Sequence, residues 1–290
     1  MNVRFFLFLA PVLLFSCTQN QPKNPAPKND TVATEQPKVI YYGDELQNID
    51  ATHPSAINQA IQLYKTNYAG STEGFCDAYL ADLKNFAIGS AMKLGEAGVL
   101  DTLPKDKNGK ISTEDERKFN RLGYLIRYTD KIPYFVSDPA FLLKNFEPCV
   151  SPAMKIFMEE FAKETEKQAL SGDELAIEVS ELQRRVLFWE DFLLTYPEFL
   201  LIDECNATYH FFLSLYMTGS GKSRAFIGDD LRFNPEYKAS YEIVIKNRKN
   251  TPTARFIKDY YDVLKASNFK MDKEVQHFVD NIKSPFAADN

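Results

Sequence analysis

LAIEVSELQRRVLFWEDFLLTY, residues 175–196, decides the fold class. Its large apolar side chains Leu175, Val179, Leu182, Val186, Trp189, Leu193 and Tyr196 recur at alternating steps of four and three. That spacing lines up one face of an α-helix, and a face of that length calls for a partner helix. Upstream, Met154, Phe157, Met158 and Phe161 form a matching face. The link around Ser171-Gly172 is short, so the two segments are predicted to pack as an antiparallel helical hairpin. Ala254, Ile257, Tyr261 and Leu264 give a third face near the C-terminus.

Helix starts are marked in the same way along the chain. Asp138-Pro139, Ser151-Pro152, Asn234-Pro235 and Thr251-Pro252 each set a capping side chain before a proline suited to the first helical position. Ser171-Gly172-Asp173-Glu174 and Thr113-Glu114-Asp115-Glu116 read as capping boxes. Further helices are expected near 54–68, 73–96, 113–129, 139–146, 198–217, 236–248 and 272–282, with no alternating strand run in competition. The fold class is therefore all-α, with residues 39–290 as a single helical domain. The 23 Phe and 15 Tyr against 12 Gly suit a well-filled core and not Gly-rich all-β turns. No set of positions recurs at 30 to 45 residues. Two architectures stay open: an irregular multi-helix bundle, or a helical array resembling tetratricopeptide repeats.

The N-terminus has a different character. MNVRFFLFLAPVLLFS carries one charge at Arg4, an apolar run from Phe5 to Phe15 and the small Ser16 before Cys17, the layout of an export signal. About eleven apolar residues make roughly 16 Å of helix, short of the about 20 residues that span a bilayer core. Leu14-Phe15-Ser16-Cys17 resembles the lipobox of bacterial lipoproteins, with Phe15 bulkier than the usual residue at its position. The resemblance implies cleavage of a signal peptide at residues 1–16 and lipidation of Cys17, whose acyl chains hold the protein to a membrane. The alternative is an ordinary secretory signal with an incidental cysteine. Residues 18–38 hold four prolines and almost no large apolar side chain, so residues 17–38 read as a lipidated tether reaching on the order of 25 Å. No acidic residue follows Cys17 directly. In the lipoprotein resemblance this implies the outer membrane.

Cleavage before Cys17 removes one Arg of the 34 basic residues and none of the 40 acidic ones, leaving a net charge of about −7. Nucleic acid is excluded as a partner, since its binding rests on cationic contacts to phosphate. Three further cysteines, Cys76, Cys149 and Cys205, permit at most one internal bridge in an oxidising compartment. Their wide spacing is not that of a disulfide scaffold, and the expectation is that all three are buried and unpaired.

Motifs that carry chemistry are each incomplete. Gly219-Ser220-Gly221-Lys222-Ser223 ends as a phosphate-binding loop does, but Tyr216 stands where that loop needs its first Gly. A helix C-cap running into a flexible loop accounts for it. Asp106-Lys107-Asn108-Gly109-Lys110-Ile111-Ser112 resembles the middle of an EF-hand loop, yet Pro104 and Asp115 occupy its first and twelfth positions. An Asn-Gly turn before a capped helix accounts for the same residues. Glu274 and His277 have the Glu-x-x-His spacing of di-iron bundles without a second copy. Cys205 and His210 are five apart, which points them away from each other on one helix. Asp203-Glu204 and Asp229-Asp230 are adjacent acids, more in keeping with a solvated surface than with a glycosidase pair.

No catalytic, cofactor-binding or metal residue is therefore assigned, and the site assignment is lipidation at Cys17. The expected function is a lipid-anchored cell-envelope helical protein, a non-enzymatic binding or scaffold module for another envelope component, a protein foremost. Two alternatives stand beside it. One is a hydrolase of cell-wall or exported glycan, which a deep cleft holding a carboxylate of raised pKa would favour. The other is a small-ligand or calcium-binding protein using the loop from Asp106 to Asp115.

Overall fold

The computed structural model describes residues 41–286, so the lipobox and Cys17 lie outside the described residues. The chain forms α1 (Tyr42–Leu46), α2 (Ala56–Asn67) and α3 (Glu73–Glu96), then a 3-10 turn at Val99–Thr102 and α4 (Thr113–Asn120). A hairpin of β1 (Tyr124–Thr129) and β2 (Ile132–Ser137) leads to α5 (Pro139–Phe146) and α6 (Pro152–Glu166). The short pair β3 (Leu170–Ser171) and β4 (Glu174–Leu175) precedes α7 (Val179–Thr195) and α8 (Ile202–Thr218). Two more short pairs follow, β5 (Gly219–Ser220) with β6 (Ser223–Arg224) and β7 (Phe226–Ile227) with β8 (Arg232–Phe233). The chain then runs through α9 (Pro235–Asn247), α10 (Pro252–Ala266) and α11 (Lys273–Asp280). This is a mostly-α multi-helix fold, as the periodicity requires, with strands only in two-stranded pairs among the described residues.

All four capped prolines open helices. The side chains of Asp138, Ser151, Asn234 and Thr251 accept from the amides of Phe141, Met154, Glu236 and Ala254. Each satisfies one of the donors that a helix start leaves without an internal partner. The stripe on α7 is buried at Val179, Leu182, Val186, Trp189 and Leu193. Its main partner is α8, and α6 reaches it through side chains running antiparallel: Phe157 against Trp189 and Phe192, and Lys167 O against Arg185. All of these join one hydrophobic core.

The structure corrects the sequence reading in several places. The helix expected over 113–129 ends at Asn120, because Gly123 adopts φ +87° and β1 pairs with β2 from Tyr124↔Ser137 to Thr129↔Ile132. Its cap is Ser112, one residue before the box expected at Thr113. The box at Ser171–Glu174 starts no helix: those residues form the β3–β4 hairpin, and α7 begins at Val179. In α10, Tyr260 is the fully buried ring, whereas Tyr261 is half-buried and donates to Glu242 Oε1 at 2.5 Å.

Cys76 and Cys149 are not unpaired. They form a disulfide with their Cα atoms 5.8 Å apart, and only Cys205 is free among the described cysteines. Cys76 lies in the first turn of α3 and Cys149 follows α5, a helix that packs on α3. Tertiary packing therefore makes the pair, which spacing cannot show.

Candidate functional site

Among the described residues, the motifs singled out in the sequence have the following surroundings. Asp106 spends its Oδ1 on the amides of Asn108 and Lys110, at 2.8 and 2.9 Å, which closes the Asn-Gly turn and holds its carboxyl below the usual range. Lys105 and Ile111 bridge across that turn. Among the described residues no three His, Cys, Asp or Glu gather as a metal would need.

Gly219 caps α8 with φ +64°, as expected, but the chain after it is a hairpin rather than a flexible loop. Glu174 Oε2 accepts from Lys222 N at 2.8 Å, and Ser220 Oγ donates to Asp173 O at 2.7 Å. The β5–β6 hairpin is thereby seated on β3–β4, with the Lys222 amide turned to a carboxylate where a phosphate loop would offer it to a nucleotide.

Cys205 is buried, and burial pushes its thiol up to about 12, far from the thiolate that a nucleophile requires. His210 Nε2 lies 3.3 Å from Ile282 O. Glu204 pairs with buried Lys84 at 2.7 Å, Asp230 with Arg232 at 2.7 Å, and His277 Nδ1 sits 3.3 Å from Asn281 Nδ2.

Of several concavities among the described residues, one gathers aromatic rings and ionisable groups together. A cavity of about 420 Å³ opens where the end of α6 meets α7, α8 and the tip of the β1–β2 hairpin. Phe161, Phe211, Phe212 and Leu170 supply its apolar wall, and Glu164, Gln168, Tyr134 and Arg185 its polar groups. Trp189 Nε1 donates to Glu164 Oε1 at 2.8 Å, and Tyr134 OH donates to Gln168 Oε1 at 2.6 Å. Arg185, almost fully buried, donates through Nε to Glu181 at 2.9 Å and through Nη2 to Lys167 O at 2.5 Å. Its guanidinium also rests over the Phe212 ring at 5.4 Å.

These bonds set the electrostatics. Burial pushes Glu164 up to about 7, more than the Trp189 hydrogen bond and the nearby Arg185 pull it down. Glu181, gripped by Arg184 and Arg185, falls to about 2. Glu160, fully buried one turn before Glu164, is paired with Arg184 at 2.6 Å and Lys163 at 3.2 Å. Glu164 and Glu181, two acids of one cluster, are thus displaced in opposite directions, Glu164 towards neutrality.

Sequence reasoning passed over Glu164, Gln168 and Arg185. The available signal was Glu160 and Glu164 at helical spacing on the edge of the Phe157–Phe161 face. Such a placement makes buried acids only once the opposite helix is known.

No protein-family model matches the chain, no curated protein matches its sequence, and no solved structure matches its fold.

Proposed function

We propose that this chain is a binding module of the bacterial cell envelope, anchored in the outer membrane by lipid on Cys17 and holding another envelope component with its helical part. The observation that supports the binding half is the cavity beside Trp189. Tyr134, Phe161, Phe211 and Phe212 stand in its wall, and Glu164, Gln168 and Arg185 are held in place by hydrogen bonds within the protein, features that ligand sites share. The anchoring half rests on the lipobox-like Leu14-Phe15-Ser16-Cys17. No helix among the described residues is long and apolar enough to cross a membrane.

Two measurements test the halves separately. Cys17→Ala should release the chain from the membrane fraction while its melting temperature stays unchanged. Retention in the membrane would refute the lipid anchor. A crosslinking pull-down from intact envelopes, against a signal-less control, should recover a stoichiometric envelope component.

One observation favours a second reading, hydrolysis of a cell-wall or exported glycan. A carboxylic acid at about 7 inside a cleft has the protonation of a general acid. Release of reducing ends from envelope glycan by the native chain, abolished in Glu164→Gln, would establish it.

A further inference from the structure

The charges and hydrogen-bonding valences of the cavity narrow the ligand. Of its charged wall groups, Arg185 is spent on Glu181 and Lys167 O, and Glu164 is held near half-protonation at neutral pH, so the cavity offers no fixed free charge to an anion or a cation. Glu164 Oε1 and Gln168 Oε1 are occupied by Trp189 and Tyr134. Glu164 Oε2 and Gln168 Nε2 make no hydrogen bond among the described residues, which leaves for a guest one carboxyl oxygen, an acceptor when ionised and a donor when protonated, and one amide donor. Neighbouring hydroxyl groups on a ring are both donors and acceptors, so they answer an amide and a carboxyl in either protonation state together. The C–H faces of the same ring cover a phenyl group without desolvating a charge. Phe211 supplies such a face: it is 43% exposed, at a cavity wall where Phe212 is buried behind the Arg185 guanidinium.

We infer that this cavity takes a neutral sugar ring, its hydroxyls shared between Glu164 and Gln168 and its apolar face laid on Phe211. The inference rests on reading the cavity as a ligand site. A cavity of about 420 Å³ falls within the range of small-molecule sites, so a ring-sized part of a glycan fits.

The experiment uses the mature chain and follows two signals: fluorescence of Trp189, the single tryptophan, and saturation-transfer NMR of the added probe. The neutral probes are cellobiose, maltose and N,N′-diacetylchitobiose; the charged ones are benzoate and benzylamine. At least one disaccharide is expected to bind with Kd on the order of 1 mM and to change the Trp189 emission. Gln168→Ala and Phe211→Ala should each weaken it about tenfold with the melting temperature unchanged. Phe211→Tyr should restore binding, since it keeps the ring face. Response to a charged probe with none to any disaccharide overturns the sugar assignment and leaves the cavity a ligand site. Silence towards every probe overturns both. Binding of a disaccharide that is unmoved by both alanine variants overturns the placement in this cavity.

Discussion

Glu190 Oε1 accepts from the amide of Thr253 at 2.6 Å, so a fully buried carboxylate on α7 caps the first turn of α10 from outside that helix. The same carboxylate pairs through Oε2 with Arg248 at 3.2 Å, and the Thr253 hydroxyl lies 2.8 Å from Tyr209 OH. Three helices, α7, α8 and α10, thus meet on one polar thread through the core. Glu190→Ala leaves the Thr253 amide buried without an acceptor and should destabilise the fold by roughly 3 kcal/mol, whereas Glu190→Gln, which keeps an acceptor, should cost about half as much. Urea unfolding of the two variants measures the difference. Equal losses would show that charge, and not the cap, is what matters.

Glu164 makes stability fall as the solution becomes less acidic. Its ordinary value is 4.5 and its folded value about 7, so between these the folded chain holds a proton that the unfolded chain has released. The stabilisation is complete below about 4.5 and is lost as pH rises through 7, a change on the order of 2–3 kcal/mol. Glu164→Gln should remove this slope and be more stable than the native chain at pH 8. Trp189 emission should titrate with a midpoint near 7 in the native chain and stay flat in the variant.

Glu181 acts in the opposite sense. Its folded value of about 2 lies below the ordinary 4.5, so the stability it contributes is present above 4.5 and disappears as pH falls towards 2. Glu181→Gln should therefore be less stable than the native chain at pH 7 and nearly equal to it at pH 2. Thermal melts at the two pH values check this.

The disulfide joins residues 73 apart in sequence, and a loop of that length restricts the unfolded chain strongly. Replacing both Cys76 and Cys149 by Ala should lower stability by about 4 kcal/mol on the loop-entropy model. Thiol titration of the native chain should show Cys205 unreactive until denaturant is added, as its burial dictates.

At Gly219 a Cβ would overlap the Ser223 carbonyl oxygen, and φ +64° disfavours any other residue. Gly219→Ala should cost about 2 kcal/mol or more. Lys222 joins the hairpin to Glu174 through its backbone, so Lys222→Ala should change stability by under about 0.5 kcal/mol. Melting temperatures of both variants, with and without ATP, separate a structural turn from a nucleotide loop; ATP should shift neither.

The helices were readable because their ends are written in short-range chemistry. Thr251-Pro252 needs only its own first turn to cap α10, and the Val179-to-Leu193 stripe needs only one facing surface. The β1–β2 hairpin escaped because its turn residues, Asp130 and Lys131, adopt φ +50° and +69° without a glycine to announce it. Gly123, just past α4, was the overlooked stop. The cavity was less readable still. Arg185 and Glu190 lie off the apolar stripe of α7 and are nevertheless buried, because that helix is covered on more than one side. Which charges end up inside is set by the packing of α6, α8 and α10, and no local spacing records it.

The bridge between Cys76 and Cys149 also turns the intervening chain into a covalent ring that holds α4, the β1–β2 hairpin and α5. The exposed Lys107 and Lys110 of the Asn-Gly turn lie on that ring. A protease that cuts there opens the ring without releasing either piece, so the nicked protein migrates as one band until a reductant is added and as two bands afterwards. A break at this exposed turn therefore leaves a single covalent body.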